Sequence, residues 1–117
     1  VEFISGMMMR YNPAYLLVLL GFNDLAWHNP ATDDEDVLAN MEEFVKQALA
    51  VRPAVKIAIG NVPQHIPKFG ELPARTDAYN KKLADAIPKW STNISPVELV
   101  HVQESYTCGG KRMSGWF

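Results

Sequence analysis

Apolar residues in this chain gather into short unbroken runs and longer interrupted stripes, and the two patterns alternate. The run Tyr15-Leu16-Leu17-Val18-Leu19-Leu20 follows Pro13 and stops at Gly21. Periodicity cannot separate such a run from a buried helix, but its length and its Pro and Gly punctuation predict a strand buried on both faces. Thr32-Asp33-Asp34-Glu35 then reads as a capping box, with Thr32 as N-cap and Glu35 reaching back to it. Val37, Met41, Phe44, Val45, Ala48 and Leu49 recur at helical spacing, and Pro53 closes that helix. A second strand, Val55 to Ile59, is stopped by Gly60, and a loop rich in Pro and Gly covers residues 61–71. A second helix is predicted from about Pro73 to Pro88, with Tyr79, Leu83, Ala86 and Ile87 on its inner face. The third strand is predicted over Val97 to Gln103. Residues 1–11 read as a poorer helix, with Val1, Ile4, Met8 and Tyr11 on one side.

Strands joined by helical crossovers pair in parallel, so the fold class predicted is an α/β sandwich around a parallel sheet. In open parallel sheets ligands bind beyond the carboxyl ends of the strands. Three loops leave those ends, over residues 21–31, 61–71 and 104–110, and they carry Asn23, His28, Asn61, His65 and Tyr106. At 117 residues there is room for one domain. A net charge of -2 with scattered Lys and Arg argues against a nucleic-acid partner. The longest apolar run, Leu16 to Leu20, is far short of the ~20 residues of a membrane span. No cofactor is expected: there is no Gly-rich phosphate loop and no metal-ligand spacing, and Asp33-Asp34-Glu35-Asp36 lacks the alternation of a calcium loop.

The chemistry concentrates at Gly21-Phe22-Asn23-Asp24, directly after the most apolar strand. The glycine permits a sharp turn. An asparagine at the lip can aim an amide NH2 at a carbonyl oxygen that gains negative charge during acyl transfer. Asp24 can hold the turn through backbone N–H groups, although Asn-Asp after a strand is also ordinary turn chemistry.

The stretch Tyr15 to Leu25 resembles the third conserved block of the SGNH hydrolases, the GDSL-like lipases and esterases, whose motif is G-x-N-D after a strand. The likeness extends over roughly residues 10–104, through the capped helix, the strand entering Asn61-Val62-Pro63, the helix carrying Tyr79-Asn80 and the closing Val-Glu-Leu-Val-His-Val segment. It implies a flavodoxin-like parallel sheet in three layers, here incomplete, and a serine ester hydrolase acting on small-molecule esters of acyl or carbohydrate type. It implies that Asn23 is an oxyanion donor, with Gly21 and Asp24 shaping its turn. The resemblance also leans toward an extracellular setting. Apart from the resemblance, Phe22, Trp27 and His28 near Asn23 are candidates to line an acyl or sugar pocket, with a surface-loop histidine an equal reading of His28. His65, between prolines, reads more readily as an ordinary loop residue than as a pocket residue. The family's serine block (G-D-S) and its C-terminal D-x-x-H do not occur in this sequence, since the last aspartate is Asp85 and the last histidine His101. Residues 1–104 are therefore expected to form a partial hydrolase domain and residues 105–117 an irregular tail, the whole being inactive alone. In the family the strand Tyr15 to Leu20 is internal; without its neighbour, self-association through residues 15–20 is expected.

Val1 in place of an initiator methionine and the aperiodic stretch after Gly110 suggest a truncated or misjoined gene product, or a natural tail. Asn93-Ile94-Ser95 is a sequon weakened by Pro96, and the single Cys108 fits either a reduced compartment or a bridge to a missing half. Two other readings are open. One is a motif-free triad of Ser105, His28 or His65, and Asp24. The other is a noncatalytic small-molecule-binding module or pseudoenzyme.

Overall fold

The computed structural model describes residues 3–21, 25, 34–63, 72–105, 107, 108, 111 and 112. The elements are α1 (Phe3–Tyr11), β1 (Tyr15–Val18), α2 (Asp34–Val51), β2 (Lys56–Gly60), α3 (Leu72–Trp90), β3 (Val97–Val100), a short α4 (Val102–Ser105), β4 (Thr107–Cys108) and β5 (Lys111–Arg112). The three long strands form one parallel sheet in the order β1-β2-β3, with Tyr15 opposite Lys56 and Ile57 opposite Val97. This is the parallel α/β class that the alternation of runs and stripes predicts. Strands laid down in sequence order by right-handed crossovers put α2 and α3 on the same face. Burial agrees: Val18, Ile57, Ile59 and Val97 are buried against the helices, whereas Tyr15, Leu17, Lys56, Glu98 and Val100 are exposed. Among the described residues the long helices thus cover one face of the sheet, while on the other Gly60 is buried against Leu19 and Val102 at the carboxyl end.

Local chemistry explains each helix end. Asn12 ends α1 by taking a left-handed conformation (φ 43°), its N–H bonding the Met8 carbonyl before Pro13 forbids continuation. Arg52 then donates to the Asn12 carbonyl at 2.6 Å and to its side-chain oxygen at 3.1 Å, fastening this corner to the end of α2. Asp34, Glu35 and Asp36 fill the first turn of α2, where the helix dipole favours negative charge. Lys82 of α3 sits 2.7 Å from Asp34 and 3.2 Å from Glu35, and its ammonium is raised above the usual 10.5 by the hydrogen bond to Asp34, then by that to Glu35. Val37, Met41, Val45 and Ala48 form the buried stripe of α2, with Phe44 and Leu49 half-buried beside it.

Four expectations need correction. Helix α3 does not stop at Pro88 but runs to Trp90. In the last turn a proline forfeits only one intrahelical bond, and the Ser91 N–H still reaches the Ile87 carbonyl. Strand β3 ends at Val100 and not at Gln103: the chain turns at His101 because the Gln103 N–H is taken by the Asn61 side chain at 2.7 Å. Tyr11, placed with Ile4 and Met8, is 65% exposed, while Ile4 and Met8 are buried. Strand β1 closes at Val18, two residues before Leu20. Beyond α4, β4 and β5 form a two-residue antiparallel ladder. Thr32 lies outside the described residues.

Candidate functional site at the carboxyl edge

All three parallel strands end at one edge, and the chain leaving each end is tied back to α3. After β1, Gly21 is buried with φ 110°, a backbone conformation that side-chain-bearing residues rarely adopt. A Cβ at Gly21 would also lie 3.1 Å from Val62 Cγ2 and 3.5 Å from Tyr79 Cε1. The glycine therefore lets this turn press against the loop after β2 and against α3. The Leu25 N–H donates to the Gly21 carbonyl at 3.0 Å, bracketing residues 22–24, and Leu25 is 1% exposed. Arg75 in the first turns of α3 donates through Nη2 to the Leu25 carbonyl at 2.9 Å. Its buried Nε has no hydrogen-bond partner among the described residues.

After β2, the Asn80 side chain clamps the backbone of Val62. Its Oδ1 accepts the Val62 N–H and its Nδ2 donates to the Val62 carbonyl, both at 2.8 Å and both buried. After β3, Asn61 Oδ1 accepts the Gln103 N–H, and Gln103 Nε2 donates to Asp77 Oδ1 at 3.0 Å. Arg75, Asp77 and Asn80 thus hold one loop each from within two turns of a single helix.

Of the residues singled out from the sequence, Gly21 falls where a turn is required. Phe22, Asn23, Asp24, Trp27, His28, His65 and Tyr106 lie outside the described residues, as do the His28, His65 and Asp24 members of the motif-free triad; Ser105 closes α4. Asn61, grouped with the candidate polar residues of the cleft, spends its Oδ1 bracing the start of α4. His101 is exposed just past β3. The sequon serine, Ser95, is fully buried and its hydroxyl donates to the Val55 carbonyl. Arg75 and Gln103 were not legible as site supports. Asn80 gave a signal, being a polar residue inside the buried stripe of Thr76, Tyr79, Leu83 and Ile87.

The turn is sensitive to a single methyl group. Gly21→Ala adds a Cβ in a strained backbone region and against Val62, so it should cost about 1–3 kcal/mol of unfolding free energy. Urea denaturation of the variant measures this, and an unchanged midpoint would contradict the conformation assigned to Gly21.

The architecture, a parallel α/β sheet with crossover helices, is shared with two solved esterases. It matches a carbohydrate esterase family 3 from Talaromyces cellulolyticus with a TM-score of 0.73 at 16% identity, covering 93% of this chain and 53% of that one. It matches an acetyl esterase mutant with acetate ion at a TM-score of 0.72 and 16% identity, again over 93% of this chain and 53% of that chain. The chain therefore spans about half the length of these solved structures. No protein-family model and no curated protein matches it. No described helix is long and apolar enough to cross a membrane.

Proposed function

We propose that this chain is the oxyanion-donor portion of a serine ester hydrolase acting on small carboxylic esters, acetylated carbohydrates among them. The observation that carries the reading is the fold likeness to two esterases, joined to a Gly-Phe-Asn-Asp turn that leaves the carboxyl end of β1. The bracketing of that turn supports it. Gly21 is buried beside Val62 and Tyr79, and the Leu25 carbonyl accepts a hydrogen bond from Arg75, so the described residues on either side of the motif are both tied to the body of the fold. A donor that stabilises a developing oxyanion must be held before the reaction begins, because reorganising it during attack would consume the gain.

In this assignment Asn23 donates its amide to the carbonyl oxygen as the tetrahedral intermediate forms. Gly21 and Asp24 shape the turn, and Phe22, Trp27, His28 and His65 line the acyl or sugar pocket. The nucleophile and the histidine base are not in this sequence, which contains no G-D-S and no D-x-x-H after β3. Two assays test the reading. The chain alone is expected to hydrolyse a p-nitrophenyl acyl ester no faster than a generic protein surface. Joined to a serine-bearing strand before it and a D-x-x-H segment after it, the chain should gain ester turnover. Turnover by the chain alone that vanishes in Ser105→Ala would overturn the assignment in favour of the internal triad. A folded but inert completed chain that still binds small ligands would favour a noncatalytic module.

A further inference from the structure

The turn that leaves β1 meets α3 at both of its ends. At the start, a Cβ on Gly21 would lie 3.5 Å from Tyr79 Cε1. At the finish, Arg75 Nη2 donates to the Leu25 carbonyl at 2.9 Å. Helix positions four apart are neighbours on one face, so Arg75 and Tyr79 receive the two ends on a single ridge. The turn is also closed on itself, because the Leu25 N–H donates to the Gly21 carbonyl at 3.0 Å. The N–H and the carbonyl of this buried leucine are thus both committed, one within the turn and one to Arg75.

Stability alone accounts poorly for the arginine. Its Nε is buried with no hydrogen-bond partner among the described residues, and a buried donor left unpaired lowers stability. Asn80 differs, since both ends of its amide are satisfied by the backbone of Val62. A side chain that leaves one donor unpaired while placing another on a distant carbonyl is suited to fixing a position. We propose that Arg75 is a positioning residue for ester hydrolysis, which sets the place of the Asn23 amide by holding the Leu25 carbonyl. This rests on the reading of Asn23 as the oxyanion donor. Only Asp24 separates Asn23 from Leu25, so a displacement of the anchored residue passes directly to the donor. The donor must stand within hydrogen-bond reach of the oxygen as charge develops there. Misplacing such a group by about 1 Å can lower a rate by ~10².

Two measurements test the proposal, both with Arg75→Met, which keeps an apolar stem and removes the donor. In the chain itself, hydrogen exchange at the Leu25 amide should quicken about tenfold or more, while the Val62 amide, held by Asn80, keeps its rate. An unchanged Leu25 amide overturns the proposal. Equal quickening at both amides does so too, because Arg75 would then support the fold at large. In a chain completed with the serine and D-x-x-H blocks, Arg75→Met should lower kcat by about 10–10²-fold with KM little changed. The same substitution in an Asn23→Ala background should change kcat by less than about twofold, since a residue that acts through Asn23 has nothing left to position. An equal loss in both backgrounds assigns Arg75 to general support and overturns the proposal. A costly Asn23→Ala beside a silent Arg75→Met overturns the proposal alone. A silent Asn23→Ala overturns the oxyanion reading and the proposal with it.

Discussion

Asn80→Ala should lower the unfolding free energy by about 2–4 kcal/mol, because each buried group left unpaired costs ~1–3 kcal/mol. The substitution strips partners from two groups at once, the N–H and the carbonyl of Val62, both now held at 2.8 Å. Val62 is 1% exposed and Asn80 7%, which leaves little room for water to replace the lost amide. Asn80→Asp should be no rescue. A carboxylate still accepts the Val62 N–H, but it faces the Val62 carbonyl with a second acceptor and brings a charge into a buried site. The exposed neighbour Lys81 provides the control, and Lys81→Ala should change stability by no more than ~0.5 kcal/mol. Urea unfolding of the three variants is the measurement. A loss below about 1 kcal/mol in Asn80→Ala would mean that the clamp is not a principal support of the loop, since a typical net hydrogen bond is worth that much.

The second large effect concerns chemistry. In a chain completed with a serine block and a D-x-x-H block, Asn23→Ala should lower kcat by ~10²–10³, the usual loss for one oxyanion-hole donor, with KM little changed. The split follows from where the hydrogen bond strengthens: the substrate carbonyl is a weak acceptor and the oxyanion a strong one. Asn23→Asp should lose at least as much, because a carboxylate repels the charge that the amide would attract. Stability should stay near that of the parent, unlike the effect of Asn80→Ala, so the two asparagines are separable by one melt and one rate measurement. A kinetically silent Asn23→Ala in an active enzyme would remove the oxyanion role from this turn.

Periodicity carried the architecture well. The apolar stripe of α2 and the run around β2 were legible because their side chains are sorted by burial, a property that composition along the chain records directly. Strand β1 was legible from its Pro and Gly punctuation, but the burial expected on both of its faces is met on one, with Tyr15 and Leu17 exposed. Boundaries failed where a polar tertiary contact decided them. Val102 and Gln103 continue an apolar-alternating pattern, yet the Asn61 side chain captures the Gln103 N–H and starts a helix there. Pro88 looked like a stop, yet its missing N–H costs little in a terminal turn. At the candidate site, Gly21 announced itself by punctuation after a strand. Arg75 did not, because nothing local distinguishes an arginine that holds a distant carbonyl from one that faces solvent. Its partner, Leu25, is fifty positions away in sequence, and the link exists only once the sheet has formed.

The convergence of three loops on one short stretch of α3 bears on how such a site could diversify. Surface loops usually accept insertions and exchanges independently of one another. Here each of the three is moored to residues 75–80, through Arg75, Asp77 and Asn80. A loop exchanged without its mooring residue would be left adrift, and a change in the helix would be felt by all three at once. New substrate preferences in this scaffold would therefore be inherited in linked sets, helix and loops together, and a library that varies the loops while holding those three helix positions constant searches a far better-folded space than one that varies everything.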